Sequence, residues 1–287
     1  MQSVALFIYT ETSLHAGTGS TVSVVDLPIQ RERTTNYPIV QGSGIKGALR
    51  SQAKINREDK NFIFGPDSEE LQKRGNKDSQ AGAISVGDAR IVLFPVRSLM
   101  GVFAYVTCPH VLARLGRDVK GLPALTQTLK DEQALVTSNN KVSAGGSVVL
   151  EEFSFSTVPH AEVDKIAQWL AQYALPKGDE YAYWRDKIQH SLVILPDNAF
   201  KDFVETSTEI VTRVRIDSAK KTVAEGALWT QESLPSDTLL MSKVVIAERS
   251  SVSGLNAQSL AQSFEARLQI GGDETTGDGF VALNWLG

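Results

Sequence analysis

Cysteine is nearly absent from this 287-residue chain, and the single thiol, Cys108, leaves no intrachain disulfide framework and no zinc site built from several thiolates. That usage fits a reducing cytoplasm. Histidine is scarce as well: His15, His110, His160 and His190 stand apart, none with a His or Cys at metal-ligand spacing, which argues against a zinc enzyme. There is no Gly-x-Ser-x-Gly elbow and no Walker phosphate loop, so neither a hydrolase triad nor a nucleoside triphosphatase has support. No apolar run approaches the roughly 20 residues that a bilayer span needs, so no membrane partner is expected. Met1 to Thr10 lacks a basic n-region and its apolar run breaks at Thr10-Glu11-Thr12, so it reads as a first strand and not a signal peptide. A surplus of positive charge is missing too. The formal net charge of -4 argues against coating nucleic acid by bulk charge, so any nucleic-acid site must be local.

What is present is an ordinary globular balance, 42% hydrophobic and 22% charged. Residues 3–10 and 21–25 are expected as short strands, joined by a small-residue loop. Ser43 is placed to cap a helix whose apolar face carries Ile45, Ala48 and Leu49, with Lys46, Arg50 and Lys54 as a basic stripe at spacing four. Strands are expected within 83–94 and 101–107, helices near 161–173 and 178–188, and a second β-rich portion from Ile210 to Ala247. A helix-like segment, a glycine loop and a last strand close the chain. Residues 57–81 and 120–147 are polar and read as peripheral. The class is α+β, and a single elaborated domain over 1–287 is favoured over two.

Three features carry candidate chemistry. His15, in a Gly/Ser-rich loop, has the pKa range of a general acid or base, or else bonds local backbone. Asp26 follows Val22-Ser23-Val24-Val25 and precedes Leu27-Pro28. A turn residue is one reading; a carboxylate that holds a divalent ion or takes a proton from a ribose hydroxyl is the other. Gln269 to Phe280 contains four glycines, which suit either a phosphate-cradling nest or a tight turn between core strands; its Asp273, Glu274 and Asp278 must point away if the nest is real. Between residues 31 and 60, Arg31, Arg33, Lys46, Arg50, Lys54, Arg57 and Lys60 are offset only by Glu32, Glu58 and Asp59.

Four stretches carry a family resemblance. They are Leu14-His15-Ala16-Gly17-Thr18-Gly19 with Val25-Asp26-Leu27-Pro28-Ile29-Gln30-Arg31-Glu32; Tyr37 to Arg50; Gly87-Asp88-Ala89-Arg90 with Phe94 to Ser98 and Gly101-Val102-Phe103; and the glycine loop at 270–280. In order and extent these resemble the RAMP backbone subunits of type III-B (Cmr) CRISPR effectors. The related type III-A (Csm) backbone matches the 94–110 block and Asp26–Glu32 less well. The resemblance implies a ferredoxin-like, RRM-related core with insertions near 57–81 and 109–147 and a β-hairpin thumb near 213–240. It also implies a head-to-tail filament of copies along a guide (crRNA), together with other subunits of the complex. Target RNA would be cleaved at regular intervals by a metal-dependent endoribonuclease, the divalent ion expected to be Mg²⁺, with Asp26 as catalytic and metal-holding residue. His15, Glu225 and Glu232 are further catalytic candidates; Lys46, Arg50, Arg31, Gly271, Gly272 and Trp229 are the RNA-binding candidates. The alternative is a catalytically silent guide-binding scaffold, as in DNA-targeting relatives.

Overall fold

A computed structural model describes residues 2–20, 24–67, 71–72, 81–216, 219–247 and 256–287, and of 224–226 and 257 it describes the backbone only. In chain order the strands are β1 Gln2–Thr10, β2 Ile39–Val40, β3 Ile84–Val86, β4 Ala89–Arg97, β5 Phe103–Thr107, β6 Gln133–Val136, β7 Ser143–Ala144, β8 Ser147–Leu150, β9 Phe153–Pro159, β10 Leu192–Ile194, β11 Glu209–Ile216, β12 Val223–Ser233, β13 Leu239–Ile246, β14 Arg267–Gln269 and β15 Phe280–Leu286. The helices are α1 Gly42–Gln52, α2 Arg57–Phe64, α3 Pro109–Asp118, α4 Ala161–Trp169 (prolonged by a wide turn through Ala174), α5 Ala182–Ser191, α6 Asp197–Thr206 and α7 Ala257–Ser263. No described helix is long and apolar enough to cross a membrane.

One 13-stranded sheet runs in the order β14-β15-β1-β13-β4-β5-β10-β6-β9-β8-β7, with β2 and β3 attached to β4 and β13. Its alternating side chains feed two apolar layers. Val4, Leu6 and Ile8 of β1 pack on the side that receives Ile45 and Leu49 of α1 and Phe200 of α6. Ala5, Phe7 and Tyr9 pack on the other, with Leu112 of α3, Ile166 of α4 and Ile188 of α5. A strand covered on both faces reads as an unbroken apolar run, which is why β1 was legible as Val-Ala-Leu-Phe-Ile. Burying Leu6 or Ile8 completely contributes about 1.5–3 kcal/mol each.

Outside this sheet, β11 and β12 form a two-stranded hairpin, pairing from Glu209↔Ser233 to Ile216↔Val223. It occupies 209–233, beginning before the expected 213, while Leu239 and Leu240 already belong to the main sheet. Hydrophobic side chains on it, Ile210, Val211, Val214, Ile216, Val223 and Leu228, stay exposed.

Three local expectations need correction. Residues 24–25 form a bend and Val24 is 93% exposed, so no strand covers them; residues 21–23 lie outside the described residues. Helix α1 begins at Gly42, with Gln41 at the cap position, because Asp88 reaches across to accept the Gly42 amide at 2.9 Å; Ser43 lies inside the first turn. The helix also ends at Gln52, which takes Lys54 off the basic stripe. Finally, 120–147 is not uniformly peripheral: β6 lies between β10 and β9 with Ala134, Leu135 and Val136 buried. Of the excursion at 57–81, α2 is described, and 68–70 and 73–80 lie outside the described residues.

Candidate functional site

The site is built along one edge of β12. The other edge pairs with β11, in the register Thr212↔Thr230, Val211↔Gln231 and Ile210↔Glu232. A strand edge left unpaired exposes backbone donors and acceptors that must be satisfied. Two loops do so here. The Leu27 amide donates to the Thr230 carbonyl and the Glu232 amide donates to the Leu27 carbonyl, both at 3.0 Å. Further along, Leu14 and Leu234 exchange backbone hydrogen bonds at 2.9 Å. The chain segments carrying Asp26 and His15 are therefore laid side by side against one strand, although neither segment neighbours it in sequence.

Asp26 sits in an exposed bend. Its Oδ2 accepts from the Thr230 amide at 2.7 Å and from the Thr230 hydroxyl at 2.9 Å. The same hydroxyl oxygen accepts from the Asp26 amide at 3.0 Å. Oδ1 has no hydrogen-bond partner among the described residues. The Thr230 amide first, and then its hydroxyl, hold the Asp26 carboxyl below the ordinary carboxylate range. One oxygen is thus fixed and the other is presented, ionised, to solvent.

His15 is anchored two residues further along the strand, roughly 7 Å at the rise of an extended chain. Its Nδ1 lies 2.6 Å from the Glu232 carbonyl. A carbonyl only accepts, so Nδ1 carries the proton, and in the neutral ring Nε2 keeps its lone pair. Two glycines make room for this residue. A Cβ on Gly17 would meet Nε2 at 2.5 Å, and one on Gly271, where φ is +91°, would meet the His15 carbonyl oxygen at 2.5 Å.

Glu232, expected among the catalytic residues, is engaged otherwise. Its side chain is 8% exposed, and its Oε1 accepts from Arg31 at 2.5 Å and from the Thr208 hydroxyl at 2.8 Å, while Oε2 accepts the Ile29 amide at 3.0 Å. Arg31 also donates to the carbonyls of Asn36 and Val204. Each neutralises the other inside the protein: the Arg31 guanidinium is turned to Glu232, and both Glu232 oxygens are occupied by protein donors. Both are structural pins that hold the 27–38 loop on the hairpin base.

Arg50 is likewise occupied, donating to the carbonyls of Lys60 and Gly65 and to Asn61 and Asp67; it ties α1 to α2. Lys54 pairs with Glu265. Lys46 has no ion-pair partner among the described residues. In the glycine loop, the Gly272 amide is spent on the His15 carbonyl at 3.0 Å, whereas the Gly271 amide has no partner among the described residues. Two of the loop's three acids are engaged by protein groups: Asp278 pairs with Arg213 at 2.5 Å and accepts from Ser13, and Asp273 accepts from Gln231 at 2.7 Å, whereas Glu274 is exposed. Trp229 lies half-exposed on β12 opposite Arg213. Glu225 falls within β12, its side chain outside the described residues. Thr230, Arg213 and Gln231 were not singled out in the sequence, since nothing local to them signals a partner in a distant loop.

Among the described residues there is no group of three or more His, Cys, Asp or Glu side chains able to hold a metal. The donor set at the site is one exposed carboxylate oxygen. That set fits a hard cation such as Mg²⁺ only where substrate phosphates supply the other ligands, which is a common arrangement for this ion.

The RAMP superfamily model matches residues 7–282. The chain belongs to the RAMP superfamily. Within it, the chain is 39% identical over 293 aligned positions to the CRISPR system Cmr endoribonuclease Cmr4 of Pyrococcus furiosus, covering 99% of this chain and 95% of that protein. It is 28% identical to the CRISPR system CMR subunit Cmr4 of Saccharolobus solfataricus. The fold matches the crystal structure of oligomeric Cmr4 from P. furiosus with a TM-score of 0.76, at 33% identity and with 100% of this chain and 98% of that one covered. A subunit of the type III-B Cmr-beta complex bound to cognate target RNA shares the RAMP fold, with a TM-score of 0.74 at 22% identity over 99% of this chain and 97% of that one.

Proposed function

We propose that this RAMP subunit is a backbone component of a type III-B CRISPR effector that binds guide RNA as a filament of copies and cleaves complementary target RNA. The observation that carries the reading is Asp26: an exposed, ionised carboxylate, one oxygen fixed by Thr230 and the other without a partner among the described residues, at the base of a hairpin with exposed apolar residues. A relative 39% identical over nearly its full length carries the name of an endoribonuclease. The core reading is ferredoxin-like. In support, β15-β1-β13-β4 run in antiparallel order, α1 follows β1, α7 precedes β15, and both helices bury residues on one face. The hairpin is read as the thumb that splays target nucleotides, and a reducing cytoplasm as the compartment.

Within a regular A-form duplex a 2′-hydroxyl is poorly aligned for in-line attack on its own phosphodiester, so splaying the strand is itself a catalytic contribution. A carboxylate held below its ordinary range is a weak general base at neutral pH. Asp26 is better suited to orient the 2′-hydroxyl, or to hold a divalent cation with its free Oδ1. Such a cation, when bound, would stabilise negative charge on the phosphate and ease loss of the hydroxyl proton. His15, with Nε2 unprotonated in its neutral form, is the candidate for proton transfer; Lys46 and the Gly271 amide are the candidates for guide phosphate.

The test is Asp26→Ala in a complex reconstituted with guide RNA. Loss of target cleavage with guide binding retained is expected. Unchanged cleavage would place the chemistry on another residue of this chain or on another subunit, the second being the catalytically silent scaffold.

A further inference from the structure

We infer that Thr230 is a positioning residue for target cleavage, its hydroxyl locking the Asp26 carboxylate to the hairpin. The inference rests on the reading of Asp26 given above. The Thr230 hydroxyl bridges two groups of one residue, accepting from the Asp26 amide at 3.0 Å and donating to Oδ2 at 2.9 Å. An exposed aspartate in a bend has several staggered rotamers open to it, and among the described residues Thr230 alone hydrogen-bonds the carboxylate. Threonine is suited to the task, because branching at Cβ limits χ1 and presets the hydroxyl.

The lock has a second consequence. Thr230 belongs to β12, and the hairpin base is tied to the glycine loop by Arg213 to Asp278 at 2.5 Å and by Gln231 to Asp273 at 2.7 Å. The carboxylate is therefore registered to the hairpin and the glycine loop together, and not only to the bend that carries it in sequence. Whatever seats the hairpin on RNA also sets where Oδ1 points. Misplacing a reacting group by about 1 Å costs on the order of 100-fold in rate. Removing the hydroxyl leaves the Thr230 amide as the remaining donor to Oδ2, so the loss should be smaller than that of deleting Asp26.

The experiment compares Thr230→Val, Thr230→Ser and Asp26→Ala in complexes reconstituted with guide RNA, reading the single-turnover cleavage rate and, separately, target affinity. Thr230→Val, close to isosteric, should cut the rate about 10- to 100-fold, the worth of a hydrogen bond to a charged group. Target Kd should stay within about twofold, and Thr230→Ser should recover the rate to within about threefold of the parent. A valine chain that does not assemble is replaced by Thr230→Ala, which carries the same expectation. Parental cleavage by the valine variant while Asp26→Ala is inactive overturns the positioning role alone. Serine as impaired as valine, or a rate loss matched by lost target affinity, also overturns it, since the effect would then be hairpin packing. Normal cleavage by Asp26→Ala would remove the underlying reading instead.

Discussion

Glu232→Ala should destabilise the free chain strongly, and the structure sets the size of the effect. The carboxylate is 8% exposed, is paired with Arg31 at 2.5 Å and accepts from the Ile29 amide and the Thr208 hydroxyl. Alanine would strand the Arg31 guanidinium, itself only 16% exposed, and leave the Ile29 amide unpaired. Removing one partner of a buried ion pair costs about 3–5 kcal/mol. For a chain of this size that corresponds to a fall in Tm of about 2 °C per kcal/mol, hence roughly 6–10 °C. Glu232→Gln keeps an acceptor and should lose less, about 1–3 kcal/mol. The double variant Arg31→Met with Glu232→Leu removes both charges and should recover a large part of the loss, because a well-packed apolar pair replaces a desolvated ionic one. Denaturant unfolding of the parent, Arg31→Met, Glu232→Leu and the double variant gives the coupling energy directly. A Glu232→Ala loss below about 0.5 kcal/mol, or single losses that simply add in the double variant, would refute the pin and return Glu232 to the catalytic candidates.

Glu32 provides a pH test. Burial pushes its carboxyl up, but the Thr35 hydroxyl, Arg114 and Arg90 more than offset that and hold it below the ordinary value. A depressed folded pKa adds stability above the unfolded pKa that is lost as pH falls through the folded one. Glu32→Gln should therefore lower Tm at pH 7 and converge with the parent in acid; a deficit that persists unchanged in acid contradicts the ion-pair account. Val102 is 80% exposed with φ at +72°, a left-handed conformation that branching at Cβ disfavours. Val102→Asn should raise stability by about 1 kcal/mol in denaturant unfolding. Lys46→Ala should weaken guide binding for all sequences and lower the salt slope by about 1, while Arg50→Ala should act chiefly on stability through the α1–α2 tie. Equal loss of guide affinity in both, with unchanged unfolding of Arg50→Ala, would restore the basic-stripe reading.

Much of the fold was legible because it rests on local periodicity. The apolar run of β1 and the helical spacing of Ile166, Trp169 and Leu170 announce their elements, and the structure places those residues in the core. What was not legible depends on partners far apart in sequence. Arg31 and Glu232 are 201 positions apart, so nothing near either residue reveals that each cancels the other. Arg50 read as part of a basic face until Asp67 and the carbonyls of Lys60 and Gly65 claimed it. Ser43 looked like a cap because the real acceptor, Asp88, comes 46 residues after Gly42. The same holds for Thr230, which has no distinguishing neighbours and gains its role from Asp26, 204 positions away. Asp26 itself was singled out by resemblance, since its local pattern fits a turn equally well, and a bend is what surrounds it.

The most direct measurement is the single-turnover rate of target cleavage by a reconstituted complex carrying Asp26→Asn. Asparagine keeps the side-chain length and an oxygen to accept from Thr230, and replaces the charged, free Oδ1 by a neutral NH2 donor. The account predicts a rate at least about 100-fold below the parent, with guide and target affinity unchanged. Cleavage at the parental rate and positions would contradict it, placing the chemistry on another residue or another subunit.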